Sequence, residues 1–239
     1  MDGDQRAMYS RTGDDISAGF PDIINNINGS AVLDGELLVG HDFEPDSFNH
    51  LQQRLNRKTV TSKMMNEHPA FIRVYDILFH GEDDVRNLPL SKRRKILEAW
   101  FENNPQKRLD ISEIIDFKNW DDLKNIRVKG ADEHGHEGVM IKRTDSVYVP
   151  GRPKGLWYKW KREPNYADAV LMYAQRGHGK RSSFYSDYTF GVWDGNQIVP
   201  IGKAYFGFTD EELKQLDTFV RKNTINRFGP VREVKKELV

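Results

Sequence analysis

The chain has 239 residues, with 36 Lys and Arg against 36 Asp and Glu, so its formal charge is zero, and 38% of it is hydrophobic. That composition excludes a disordered chain and a uniformly basic nucleic-acid binder, though not a local basic face. No apolar run nears the ~18 residues that a bilayer-spanning helix needs. Cysteine is absent, which excludes disulfides, thiol nucleophiles and Cys-ligated zinc and fits a cytoplasmic protein.

Met1-Asp2-Gly3-Asp4 is acidic and lacks the apolar segment that follows the start of a signal peptide. Gly3-Asp4 reads as a hairpin turn and residues 5–10 as the strand leaving it, which would put the partner strand before Met1. Residues 31–39 read as a buried strand with a polar centre. Residues 47–55 carry Phe48, Leu51 and Leu55 at helical spacing, and residues 71–79 form a second apolar strand. Pro89 starts a helix that turns Ile96, Leu97 and Trp100 inward. Residues 138–142 and 156–161 are two more strands.

Glu163-Pro164-Asn165 is the expected domain boundary. Beyond it the texture is β-rich, with strands at 169–173, 188–193 and 198–208 and a turn at Asp194-Gly195. Asp210 is expected to cap a helix over 211–222. Short strands plus one helix suggest a small barrel, the OB-fold among the options. Leu238-Val239 stops as an extended apolar segment begins.

Several groups could carry chemistry. Asp34 and Glu36 alternate on an apolar strand, so both should project from one face, as a metal or ribose site or as a strand end reaching solvent. Glu137 opens a strand that Lys142 closes. His134 and His136 precede it, but Met140 stands where a zincin would need its second histidine, so both read as loop residues. Lys159 and Lys161 share one strand face, where an anion such as a phosphate chain would relieve their repulsion. Tyr158 and Trp160 share the other, which suits packing. Arg176, Lys180 and Arg181 make a compact basic loop around Gly177 and Gly179. Ala174 and Arg181 break the Walker A pattern, so the loop is no P-loop. The run from Lys92 to Lys95 reads as a solvated helix face. Arg54, Arg57, Lys58 and Lys63 read as a nucleic-acid contact or a solvated cluster.

In order, these segments resemble the nucleotidyltransferase signature of ATP-dependent DNA ligases. Ser10-Arg11-Thr12-Gly13 resembles segment Ia, Leu33-Asp34-Gly35-Glu36 motif III and Val74-Tyr75-Asp76-Ile77-Leu78 motif IIIa. Glu137-Gly138-Val139-Met140-Ile141-Lys142 resembles motif IV and Trp157-Tyr158-Lys159-Trp160-Lys161 motif V. The basic loop at Arg176 resembles that of the ligase OB domain. The family's K-x-D-G, whose lysine is the nucleophile, occurs nowhere in these 239 residues, nor does motif VI. The chain is thus expected to be the middle of a ligase of the bacterial multidomain type, inactive alone.

The resemblance implies an α+β fold. Residues 1–164 would be an N-terminally incomplete, ATP-grasp-like adenylation domain of antiparallel sheets with flanking helices. Residues 165–239 would be a C-terminally incomplete OB-fold barrel. It also implies nick sealing in duplex DNA through enzyme-AMP and DNA-AMP intermediates, in repair, replication or recombination, by a nucleoid-associated monomer using ATP and Mg²⁺ and no membrane. By the same resemblance Glu36 holds the ribose or a metal-bound water, with Asp34 in the metal set, and Tyr75 stacks on adenine. Glu137 helps hold Mg²⁺, and Lys159 and Lys161 grip the α-phosphate. Arg11 takes the 5′-phosphate of the nick, and Arg176, Lys180 and Arg181 take the DNA backbone. A non-catalytic nicked-DNA-binding module, and an RNA ligase or capping-type nucleotidyltransferase, are the alternatives.

Overall fold

The computed structural model describes residues 5–55, 57–151, 153–164, 166–177, 182–205 and 207–236. The chain forms two compact units, Met1–Arg162 and Glu163–Val239. Among the described residues no helix is long and apolar enough to cross a membrane.

The first unit is built on strands β1 (Ala31–Val39) and β2 (Ala70–His80), which pair antiparallel. The short β3 (Asp83–Asp84) pairs with β2, and so does β4 (Leu109–Ile111), in parallel. Gly35 is required at the centre of β1: a Cβ there would lie 2.5 Å from Ile72 Cγ2 and 2.9 Å from the Arg73 carbonyl. The register slips twice along this pair, so that Tyr75 and Leu78 are extra residues on β2. Such bulges bend a strand and re-aim its side chains.

Four helices precede or cover this sheet: α1 (Pro21–Ile24), α2 (Phe48–Arg54), α3 (Ser62–Glu67) and α4 (Leu90–Asn103). The apolar faces of α1, α2 and α4 meet the sheet in one core, where Phe20, Ile23, Leu51, Ala70, Val74, Ile77, Leu97 and Trp100 are buried; α3 buries no residue. Helix α5 (Trp120–His134) is capped by Asn119 at its start and by Gly135, at φ 67°, at its end. It lies beside a two-stranded ribbon, β5 (Gly138–Lys142) against β6 (Trp157–Lys161).

The second unit is a five-stranded antiparallel sheet with one helix. Its strands are β7 (Val170–Arg176), β8 (Tyr185–Asp194), β9 (Gln197–Ala204), β10 (Thr224–Phe228) and β11 (Val231–Val234), in the order β10-β11-β7-β8-β9. Asp194 pairs with Gln197 around the turn at Gly195. Helix α6 (Asp210–Asn223) packs Leu213 and Val220 against Leu171, Ala174, Tyr185 and Tyr188.

Five expectations are corrected. Residues 5–10 form no strand; the segment makes only a bridge between Tyr9 and Asp15, because Ser10, Thr12 and Asp14 hydrogen-bond among themselves into a tight turn. Thr209, not Asp210, caps α6, in a reciprocal capping box with Glu212. His134 ends a helix rather than lying in a loop, since α5 runs through it. Arg93 does not face solvent: it is fully buried and donates from Nε and Nη2 to the two oxygens of Asp76, at 2.8 Å each. Arg54 is likewise buried, against Asp22 at 2.6 and 2.7 Å and the Gly19 and His68 carbonyls, which excludes it from any surface contact. Residues 1–4 and 237–239, and with them the expected hairpin turn and final apolar segment, lie outside the described residues.

Removing one partner of a buried ion pair strands the other charge, at a cost of ~3–5 kcal/mol. Asp76→Ala is therefore expected to lower the unfolding free energy of the first unit by that amount, read as a lower urea midpoint at unchanged slope. Arg143→Ala, which breaks the exposed pair with Asp145, is expected to cost less than ~1 kcal/mol. Urea titration followed by tryptophan fluorescence measures both.

Candidate functional site

The site lies within the first unit, where the β1–β2 sheet meets the β5–β6 ribbon. Asp34, near the middle of β1, accepts hydrogen bonds on both oxygens: from Tyr75 Oη at 2.9 Å and from Tyr148 Oη at 2.8 Å. Tyr75 reaches it from the bulge on β2. Burial, and then the Asp34 carboxylate beside them, pushes both phenols well above the ordinary tyrosine range. Both hydroxyls therefore stay protonated donors at any physiological pH.

Lys142, the last residue of β5, holds its Nζ 4.0 Å from the ring centroids of both Tyr75 and Trp157. The rings of Tyr75 and Tyr148 meet Trp157 edge-on at 6.0 and 6.2 Å. Burial pushes the Lys142 ammonium down to about 8, and nearby Asp76 and Asp34 partly oppose that shift. The two aromatic faces replace some of the hydration the ammonium has lost.

Along the ribbon, Lys161 Nζ lies 3.3 Å from Glu137 Oε2, with both side chains exposed. Lys159 stands opposite Met140 and is exposed. Arg127 of α5 holds the ribbon from beneath: its guanidinium lies 4.9 Å over the Trp160 ring and donates to the Lys161 carbonyl. Trp160 packs as its position implied. Tyr158 does not, with 55% of its surface exposed, because α5 covers the ribbon at Trp160. Trp157, on the lysine face, takes the packing role instead.

The structure therefore brings Asp34 and Tyr75 to the Lys142–Trp157 end of the β5–β6 ribbon, and Glu137 and Lys161 pair at its other end. Glu36 is exposed on β1, opposite Arg73. Arg11 is exposed on the turn closed by the Ser10–Asp14 bond, with no hydrogen bond or ion pair to this cluster among the described residues. Arg176 ends β7 in the second unit, where its guanidinium lies 5.8 Å over the buried Tyr185 ring; Arg221 and Arg232 approach that ring to 5.5 and 6.0 Å. Lys180 and Arg181 lie outside the described residues. Two members of the cluster had no role assigned from sequence. Lys142 carried a signal, an ammonium ending an apolar strand; Tyr148 carried none.

Residues 1–161 match the family model described as the ATP dependent DNA ligase domain. The chain is 34% identical over 260 residues to a "Probable DNA ligase" of Koribacter versatilis, which covers 99% of this chain and 45% of that protein. It is 31% identical over 234 residues to a DNA ligase of Archaeoglobus fulgidus, covering 95% of this chain and 41% of that one. The chain thus spans less than half the length of these relatives. Among solved structures, a mycobacterial DNA ligase D complexed with ATP shares the fold at a TM-score of 0.53 and 21% identity, over 96% of this chain and 73% of that one. A Lig E DNA ligase does so at 0.61 and 15%, over 87% and 74%. A mixed α+β ligase catalytic fold is therefore the class. The chain belongs to the ATP-dependent DNA ligase family.

Lys142 supplies a pH test of the site. Between pH 8 and the ordinary lysine value of 10.5 the unfolded chain binds more protons at this residue than the folded one. Its contribution to stability therefore rises with pH across that window, and falls away as pH drops through 8. Lys142→Met is expected to remove that rise. Denaturant titrations of both proteins at steps between pH 7 and 10 measure the difference in slope.

Proposed function

We propose that the protein acts as an ATP-dependent DNA ligase, sealing nicks in duplex DNA by passing AMP from ATP through an enzyme lysine to the 5′-phosphate. One observation carries the reading. Segments up to 114 residues apart, around Asp34, Tyr75, Lys142 and Tyr148, converge on a single cluster at one end of the ribbon whose other end carries the Glu137–Lys161 pair.

The donor set fits a nucleotide with a hard cation. Glu36 and Glu137 are exposed carboxylates, the oxygen ligands that Mg²⁺ prefers. Asp34 has both oxygens engaged by tyrosines, so its part in this reading is to orient them. When bound, Mg²⁺ would neutralise phosphate charge. Lys159 and Lys161 would do the same at the α-phosphate, where in-line transfer depends on positioning and electrostatics. Tyr75 would stack on adenine and Arg11 would take the 5′-phosphate as a bidentate fork. The second unit, read as an OB-fold, would lay Arg176, Lys180 and Arg181 along the DNA backbone. The reading places the protein in repair, replication or recombination.

A second reading, a non-catalytic nicked-DNA-binding module of the same fold, draws on the lack of any K-x-D-G in these 239 residues. Labelling with α-labelled ATP and Mg²⁺ separates the two. The chain alone is expected to give no labelled band on a denaturing gel. The chain joined to a K-x-D-G segment of the ligase family is expected to give one and to seal a nicked duplex; no adduct and no sealing in the fusion favours the binding module.

In that fusion, Glu137→Ala is expected to slow sealing by about 10²–10³-fold, as for other preorganised charge groups. The melting point should hardly move, since the Glu137 side chain is 83% exposed. Sealing rates beside thermal melts test this, and near-normal sealing would make Glu137 a strand-end charge.

A further inference from the structure

Away from the nucleotide cluster, the first unit brings together three groups for which neither the sequence motifs nor the ligase reading has a use. Asp46 lies just before α2, His50 is on its first turn, and His68 follows α3. One donor atom from each lies within 4.8 Å of the other two. Asp46 Oδ2 is 2.5 Å from His50 Nδ1, and the two imidazoles stack at 4.6 Å.

Two observations set this trio apart from an ordinary helix-end ion pair. His68 Nδ1 is buried and has no hydrogen-bond partner among the described residues, although a buried imidazole nitrogen ordinarily has one. The backbone on both sides of the trio is also held from beneath. The His68 carbonyl accepts from Arg54 Nη1 at 3.0 Å, and Arg54 is itself fixed on Asp22, which also accepts from the Ala70 amide at 3.0 Å. On the other side the Asp46 amide returns to the Val39 carbonyl at 2.8 Å. The donors are mounted on rigid backbone, while their side chains stay half open to solvent: Asp46 is 50% and His50 38% exposed.

We propose that Asp46, His50 and His68 form a binding site for a divalent transition metal of the zinc class. Two imidazole nitrogens and one carboxylate are the ligand set that such ions take with a water or another small ligand in the fourth position. The hard-cation set at Glu36 and Glu137 has no imidazole. In a tetrahedral site with bonds of ~2.0–2.1 Å, neighbouring ligand atoms stand ~3.3 Å apart. No separation in the trio exceeds 4.8 Å, and rotation of the half-open Asp46 and His50 side chains about their own bonds can adjust the donors to that spacing. The ion would tie the start of α2 to the end of α3, closing a loop across both helices. It would stabilise the first unit without touching the transfer chemistry.

The test uses the full chain, freed of metal with a chelator. Zn²⁺ is expected to bind with one equivalent per chain and to raise the melting temperature as its concentration rises. Co²⁺ is expected to give the visible absorption of a tetrahedral site, while Mg²⁺ at the same concentration gives neither effect. Asp46→Asn and His68→Ala are each expected to weaken Zn²⁺ binding by about 100-fold or more, since loss of outer partners alone costs ~10–100-fold. Should His68→Ala fold poorly by circular dichroism, Asp46→Asn decides alone, because that side chain is half exposed. No Zn²⁺ binding by the parent chain overturns the site. So does binding of unchanged affinity in Asp46→Asn, which would place the ion elsewhere.

Discussion

The first unit hangs on one buried ion pair. Arg93 and Asp76 are both at most 1% exposed, and in that environment neither charge survives without the other. The guanidinium does more than neutralise. While Nε and Nη2 take the two oxygens of Asp76, Nη1 donates to the Leu88 and Ser146 carbonyls. A single side chain on α4 thus fastens β2, the entry to its own helix, and the loop that follows β5. That loop is also held to the helix start by the Leu90 and Ser91 amides, which donate to the Ser146 and Thr144 carbonyls at 2.8 and 2.9 Å. Two residues beyond Ser146 stands Tyr148, whose hydroxyl engages Asp34. The neighbour of Asp76 on β2 is Tyr75, which engages the other oxygen. The pair therefore sets the position of both tyrosines that hold Asp34, and the Arg93 guanidinium itself lies 5.9 Å over the Tyr148 ring.

The same logic explains why the cluster tolerates an ammonium under two aromatic rings. A lysine buried among apolar groups alone would lose its proton at neutral pH. Here Asp34 and Asp76 supply negative charge from one side, and Tyr75 and Trp157 offer their π-faces from the other. Burial, joined by Arg94 and Arg93, pushes in the opposite sense and outweighs them, so the lysine stands near 8 rather than at its ordinary value. This places a charge of adjustable occupancy between the sheet that carries Glu36 and the ribbon that carries Glu137, Lys159 and Lys161.

Much of the strand framework was legible from residues alone. Residues 31–39, 71–79 and 138–142 are apolar runs with definite ends, and they match β1, β2 and β5 almost to the residue. Helix α4 was legible because Pro89 precedes a periodic apolar face. Helix α5 was not, since in WDDLKNIRVKGADEH only Leu123 and Arg127 among the described side chains are fully buried, while Trp120 and Val128 are exposed and Ile126 and Ala131 half-buried, so no continuous apolar stripe marks it. The charge run Lys92 to Lys95 was misread for a related reason. Composition says that four basic residues belong to solvent; only the tertiary position of Asp76 decides that the second of them is buried. Motif spacing brought out Asp34, Glu36, Tyr75 and the ribbon residues, because each sits on a strand whose neighbours are recognisable. Tyr148 sits in a loop 114 residues from its partner, and no local pattern announces such a contact.

In the second unit the placement of the arginines has a comparable cause. Arg176, Arg221 and Arg232 come from β7, α6 and β11, and all three guanidiniums approach the buried ring of Tyr185 within 6.0 Å. One of them is neutralised locally. Arg221 pairs with Asp217 at 2.6 Å, and that carboxylate also accepts from the Tyr185 amide at 3.0 Å. The ion pair with Arg221 and the amide bond hold Asp217 below its ordinary value against the opposing effect of burial. Asp217 therefore stays charged and fixes the start of β8 to the helix. One carboxylate among three guanidiniums leaves a net positive charge around one aromatic ring. The clustering is local rather than a property of the whole unit: residues 163–239 hold 11 Lys and Arg against 10 Asp and Glu, so it is the fold, by bringing β7, α6 and β11 to one ring, that gathers positive charge there.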